Sequence, residues 1–87
     1  MDTTSELEHV MWLERGNSKF IHGDYQGAIA DFSTAIELNP GDATVYYSRG
    51  LAYLGVGQRD LAMKGLMRAS ELGYHVPREA LDLCNQA

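Results

Sequence analysis

Eighty-seven residues make one small domain, and a chain of this length buries only roughly 60–65% of the surface that its unfolded form exposes. Apolar residues make up 45% of it, enough for a packed core and too many for a disordered chain. The net charge of −5 is spread without an acidic run, which argues against an unaided nucleic-acid or anionic-membrane surface.

Residues 1–6 contain no basic region followed by an apolar core, so no signal peptide is expected. No apolar run approaches the roughly 20 residues of a membrane span. The single cysteine, Cys84, cannot form an internal disulfide, and a reducing, cytoplasmic setting is the expectation.

The first periodic stretch covers about residues 5–21. Ser5 reads as its N-cap, with Glu8 completing a capping box. Leu7, Val10, Met11, Leu13, Phe20 and Ile21 give it a broad apolar face. Gly23 suits the left-handed conformation that closes a helix, and Asp24 offers an oxygen to cap the next. Helix two covers about residues 25–38, with Ala28, Ile29, Phe32, Ala35 and Ile36 on one stripe. Asn39 and Pro40 end it, because a residue before proline is pushed out of the helical region. Asp42 caps helix three, about residues 43–54, and residues 55–57 form the next turn. Helix four covers about residues 58–72. Gly65 in its interior costs ~1 kcal/mol relative to alanine, which marks it as the weaker helix. Pro77 suits a first helical turn, and residues 78 to about 86 read as a short final helix. The expectation is an all-α fold of about five helices, with short turns that make successive helices antiparallel neighbours.

The chain repeats itself. A shift of 34 residues aligns Arg15 with Arg49, Gly16 with Gly50, Gly23 with Gly57, Ala28 with Ala62 and Ala35 with Ala69. Trp12 then falls on Tyr46, Phe20 on Leu54 and Phe32 on Leu66. Small residues recur where helices must approach, and large apolar ones recur where a gap must be filled. A period of this size marks a stacked array of helical hairpins.

These residues resemble the tetratricopeptide repeat family. One repeat supplies Trp12, Gly16, Tyr25, Ala28, Phe32, Ala35 and Pro40, and the next supplies Tyr46, Gly50, Tyr53, Ala62, Leu66 and Ala69. The pattern departs at Lys19, where an aromatic is usual, and at Tyr74, where the proline would stand. The resemblance implies hairpins stacked as a short right-handed superhelix: one repeat at about residues 9–42, a second at about 43–76, and a solvating cap helix at about 77–86. Arrays usually need about three repeats, so two and a cap are lean. Self-association, or an origin in a longer multi-repeat protein, would compensate.

The family's first helices line a concave groove. By position that groove holds Leu13, Asn17 and Phe20 from helix one, Tyr47, Ser48, Leu51 and Leu54 from helix three, and Arg78 from the cap. Val10, Glu14, Ile21, Thr44, Leu81, Asp82 and Asn85 border it. The implied function is a protein–protein interaction module that binds a partner's extended or helical peptide, with apolar anchors supplying most of the affinity. Phe20, Leu51 and Leu54 also read as inter-repeat core, and the sequence leaves both readings open. One branch of the family clamps the acidic tails of heat-shock chaperones with basic and amide residues. Here Asn17 and Arg78 keep that pattern, while Leu13, Ser48 and Asp82 depart from it. A carboxylate beside Asp82 and Glu14 would be repelled, so that ligand is not expected.

No enzymatic activity, cofactor or metal is expected. His9, His22 and His75 lie in different segments without ligand spacing, and a metal site needs several convergent ligands. Cys84 reads as a structural thiol. Tyr46, Tyr47 and Tyr53 read as helix packing rather than a platform for bases. The rival to the peptide-binding reading is a self-assembling, homodimeric scaffold.

Overall fold

The computed structural model describes residues 3–85. It contains five helices: α1 Thr3–Ile21, α2 Tyr25–Leu38, α3 Ala43–Gly55, α4 Arg59–Glu71 and α5 Arg78–Asn85. No strand occurs among the described residues. One limit differs from the sequence reading by more than a residue. Helix α1 already runs at Thr3, so Ser5 lies inside its first turn and is not the N-cap, and the Ser5–Glu8 capping box is withdrawn. Nothing in Thr3 and Thr4 breaks a helix, since neither removes an N–H donor nor demands a left-handed backbone. The expected end of the final helix at residue 86 lies outside the described residues.

The two aspartate caps are in place. Asp24 accepts from the Gly27 backbone N–H at 2.9 Å, and Asp42 accepts from the Thr44 N–H at 3.0 Å. Helix α4 has only Gln58 at this position, without a side-chain cap bond. The helix ends are built alike. At the close of α1 the Asp24 N–H donates to the Lys19 carbonyl and the Gly23 N–H to the Phe20 carbonyl. Gln58 with Tyr53 and Gly57 with Leu54 repeat this after α3, as do Tyr74 with Ala69 and Gly73 with Ser70 after α4. Each is the paired closure that needs a left-handed residue, and Gly23, Gly57 and Gly73 carry φ of 84°, 80° and 100°.

Helices α1 and α2 form one hairpin and α3 and α4 another, with α2 packed on α3 and α5 packed on α4. Each hairpin closes around a missing side chain. A Cβ on Gly16 would lie 2.7 Å from the Phe32 ring, and one on Gly50 would lie 3.1 Å from Leu66. Phe32 and Leu66 are fully buried as a result. Gly65 has its own packing reason. A Cβ there would stand 3.1 Å from the Tyr46 carbonyl oxygen and 3.3 Å from the Gly50 Cα. The propensity lost in α4 is thus exchanged for close contact with α3.

The core follows in two parts. Ala28, Phe32, Ala35, Val45 and Ala52 form the first, flanked by Trp12, Leu13, Phe20, Ile29 and Ile36. Ala62, Leu66, Ala80 and Cys84 form the second, flanked by Tyr47, Leu51, Tyr53, Leu54, Val76 and Leu81. Burial pushes the Cys84 thiol above its ordinary value, which suits an inert structural cysteine.

Two buried polar side chains tie the first hairpin together, and neither was singled out by its spacing. Asp31 is only 4% exposed, and its Oδ2 lies 3.1 Å from Arg15 Nε and 3.0 Å from Lys19 Nζ. The contacts have ion-pair rather than aligned hydrogen-bond geometry. They account for Lys19 where the family usually has an aromatic. His9 is buried with Nδ1 2.9 Å from the Ala35 carbonyl and Nε2 2.8 Å from Asp42 Oδ2. Both ring nitrogens thus have a polar partner. His9 thereby fastens α1 to the end of α2 and to the cap of α3. Burial pushes the Asp42 carboxyl up, but hydrogen bonds from Thr44 and His9 outweigh it and hold the carboxyl below its ordinary value.

Phe32→Ala is expected to remove about 3–5 kcal/mol of unfolding free energy, a large part of what a small domain has. Urea titration checks this, and a loss under about 1 kcal/mol would contradict the packing described. Asp42 is a depressed carboxylate, so its contribution is present above the ordinary carboxylate range and fades as pH falls through its folded value. Thermal melts across acid pH are expected to fall more shallowly for Asp42→Asn than for the parent chain; parallel acid limbs would dismiss the contribution.

Candidate peptide-binding groove

Helix α1 touches α3, and α3 touches α5, so the first helices of successive hairpins and the final helix share one face of the molecule. On α1, Leu13, Asn17 and Phe20 fall at intervals of four and three residues and lie along one side. On α3, Tyr47, Leu51 and Leu54 repeat these intervals, and Ser48 precedes Leu51 by three residues. Asn17, Phe20, Ser48 and Leu51 come together around a cavity of about 140 Å³ between the two helices. It offers an amide, a hydroxyl and two apolar walls.

The remaining expected residues surround this cavity less directly. Leu13 is half-buried against the first core part. Leu54 is half-buried against the second, beside Leu51 and Leu81. Phe20 is half-buried too, its ring meeting Tyr25 edge-on at 5.3 Å and 66°. Phe20, Leu51 and Leu54 are thus all half-buried, Phe20 against the first core part and Leu51 and Leu54 against the second. Arg78 begins α5, is exposed, and does not line the cavity.

Tyr47 has a partner that sequence spacing missed. Tyr74, from the turn between α4 and α5, packs against its ring at 4.7 Å and 31°. Burial first, and the Tyr74 phenol second, raise the Tyr47 hydroxyl above its ordinary value. Tyr74 stands where the family's proline would, so a departure from the pattern braces a groove side chain. The only prior signal for it was the departure itself.

The site has no acid–base pair or nucleophile arranged around it. Among the described residues no three histidine, cysteine, aspartate or glutamate side chains gather in a way that could hold a metal ion. No described helix is long and apolar enough to cross a membrane. The arrangement can offer shape, apolar contact and a few hydrogen bonds.

Two family models match the chain, one described as a TPR repeat over residues 16–57 and one as a tetratricopeptide repeat over residues 43–72. The chain is similar to superkiller complex protein 3 of Mus musculus, 39% identical over 61 residues, which is 70% of this chain and 4% of that protein. It is also similar to serine/threonine-protein phosphatase 5 of Mus musculus, 45% identical over 58 residues, 67% of this chain and 12% of that protein. Tetratricopeptide repeat protein 37 of Xenopus laevis is 34% identical over 61 residues, again 70% of this chain and 4% of its relative. The chain thus spans a small fraction of the length of each.

Proposed function

The chain belongs to the tetratricopeptide repeat family, whose repeats mediate protein–protein interactions, and from that premise we propose that it holds a peptide segment of a partner protein in the groove between α1 and α3. The observation that carries this reading is the cavity where Asn17 and Ser48 stand beside Phe20 and Leu51. An apolar side chain of the partner would enter between Phe20 and Leu51. The amide and hydroxyl would meet its backbone, which fits the mixed lining of peptide grooves. Tyr47, held by Tyr74, would form a rigid wall, and aromatic side chains of this kind dominate interface energetics. Glu14 on α1 and Asp82 on α5 are both exposed, so the groove favours neutral or basic segments over acidic tails. The phosphatase activity of one relative is not carried over, because the match covers only 12% of that protein.

A second reading is supported by a different surface. Leu7 and Met11 on α1 are each 66% exposed and Val10 is 45% exposed. Spaced at three and four residues, they form an apolar stripe of the kind that a second copy, or a neighbouring repeat in a longer protein, would cover.

A peptide selected from a random library on the immobilised chain provides the test for the groove. Tyr47→Ala and Leu51→Ala are each expected to weaken it by about tenfold or more while leaving helical circular dichroism in place. Unchanged affinity in both would sink the groove assignment. Light scattering behind a sizing column tests the second reading, and a mass that stays monomeric at high concentration would count against it.

A further inference from the structure

The side of α3 turned away from the groove carries Tyr46, Arg49 and Tyr53. With Lys64 and Arg68 of α4 they line a cavity of about 280 Å³. Three of the chain's seven lysines and arginines therefore converge here, in a chain of net charge −5. Two of them are laid against aromatic rings. The Arg49 guanidinium lies 5.9 Å from the Tyr46 ring centroid and 5.8 Å from that of Tyr53, and Arg68 lies 5.9 Å from Tyr46. Such contacts fix a guanidinium plane and leave its N–H edge to meet an acceptor.

The equivalent arginine of the other hairpin faces a carboxylate. The 34-residue shift places Arg49 on Arg15 and Gly65 on Asp31. In the first hairpin Arg15 Nε sits 3.1 Å from Asp31 Oδ2, a buried carboxylate of the chain itself. In the second hairpin glycine occupies the acid's position, so the chain supplies no carboxylate there. Arg49 Nη1 donates to Ser33 Oγ at 3.0 Å, but its Nε is shielded from solvent and has no acceptor among the described residues. A buried N–H left this way is costly, and an incoming acceptor recovers that cost. Lys64 and Arg68 are exposed at the mouth, so charge is also presented to solvent. Glu71 takes one Arg68 N–H at 3.0 Å, which leaves Arg49 and Lys64 as the main receptors.

We propose that this face is a second binding site, separate from the groove, which receives a glutamate or aspartate carboxylate from an acidic segment of a partner protein in the place that Asp31 fills in the first hairpin. The tyrosine walls take the aliphatic part of the acid's side chain. The Tyr46 hydroxyl is already committed to the Pro40 carbonyl at 3.0 Å, so its ring stays in position when the acid enters.

The test is a nuclear magnetic resonance titration of the intact chain with a tetra-glutamate peptide blocked at both ends, against the matching tetra-glutamine peptide, at low salt. The expected result is a saturable shift of the Arg49 Nε–H and of the Gly65 amide with the glutamate peptide only. Lys64→Ala combined with Arg68→Ala, both at exposed positions, is expected to weaken binding at least about fivefold. Gly65→Asp is expected to abolish it by supplying the carboxylate internally. If that variant fails to fold around the close α3–α4 contact, the double alanine variant still decides. Tyr47→Ala, on the groove side, is expected to bind the glutamate peptide as the parent does, which keeps this site distinguishable from the groove. Shifts spread evenly over Arg15, Arg59 and Arg78, or binding unchanged in the double variant, would overturn the proposal. So would a phosphoserine peptide that saturates the site while the glutamate peptide does not.

Discussion

The constraint on which the structure rests is the absence of a side chain at Gly16 and Gly50. Phe32 and Leu66 fill the space that each glycine leaves, and both are fully buried. A Cβ at Gly16 would press into the Phe32 ring so that something must shift, and one at Gly50 would crowd Leu66, because interiors packed near crystal density have little room to yield. The cavity between α1 and α3 depends on this contact and on the packing of α2 against α3. The separation of α1 from α2 and of α3 from α4 sets where Asn17 and Ser48 stand, and so whether they meet around one cavity.

Much of the fold was legible because it depends on local chemistry. Asp24 and Asp42 cap because each precedes a helical stripe, and Gly23 and Gly57 close helices because only glycine takes that backbone without strain. What was not legible depends on who stands opposite in space. His9 shows no spacing that points to a partner, and only the fold sets Ala35 and Asp42 on either side of it. Asp31 looks like an ordinary solvated acid until α1 brings Arg15 and Lys19 over it. Gly65 reads as a flaw in α4 on propensity alone, and only the backbone of α3 explains it. Ser5 failed for another reason: a capping pattern is a preference, and the chain ahead of it had no breaker to enforce it. The groove shows the same division. Helical spacing aligned its residues on each helix, but the brace that Tyr74 gives Tyr47 comes from a distant turn.

The two hairpins are near copies, and their differences carry more functional information than their likeness. The first neutralises its arginine internally and is finished as a structural unit. The second exchanges that acid for a close backbone contact and leaves a guanidinium between two rings. The equivalent arginines of the two hairpins thus stand in chemically unlike surroundings.

The way the helices touch has a further consequence. Each packs chiefly on the helix before and after it in the chain, with α1 reaching α3 and α3 reaching α5 as the longest links. Among the described residues no contact of elements joins α1 to α5, so the entropy of closing large loops hardly enters the folding barrier. Chains with such local contacts fold on the microsecond-to-millisecond scale. Either hairpin can serve as the starting point, with order spreading helix by helix from it. A chain built this way assembles quickly, and the same locality means that damage at one end leaves the other largely untouched.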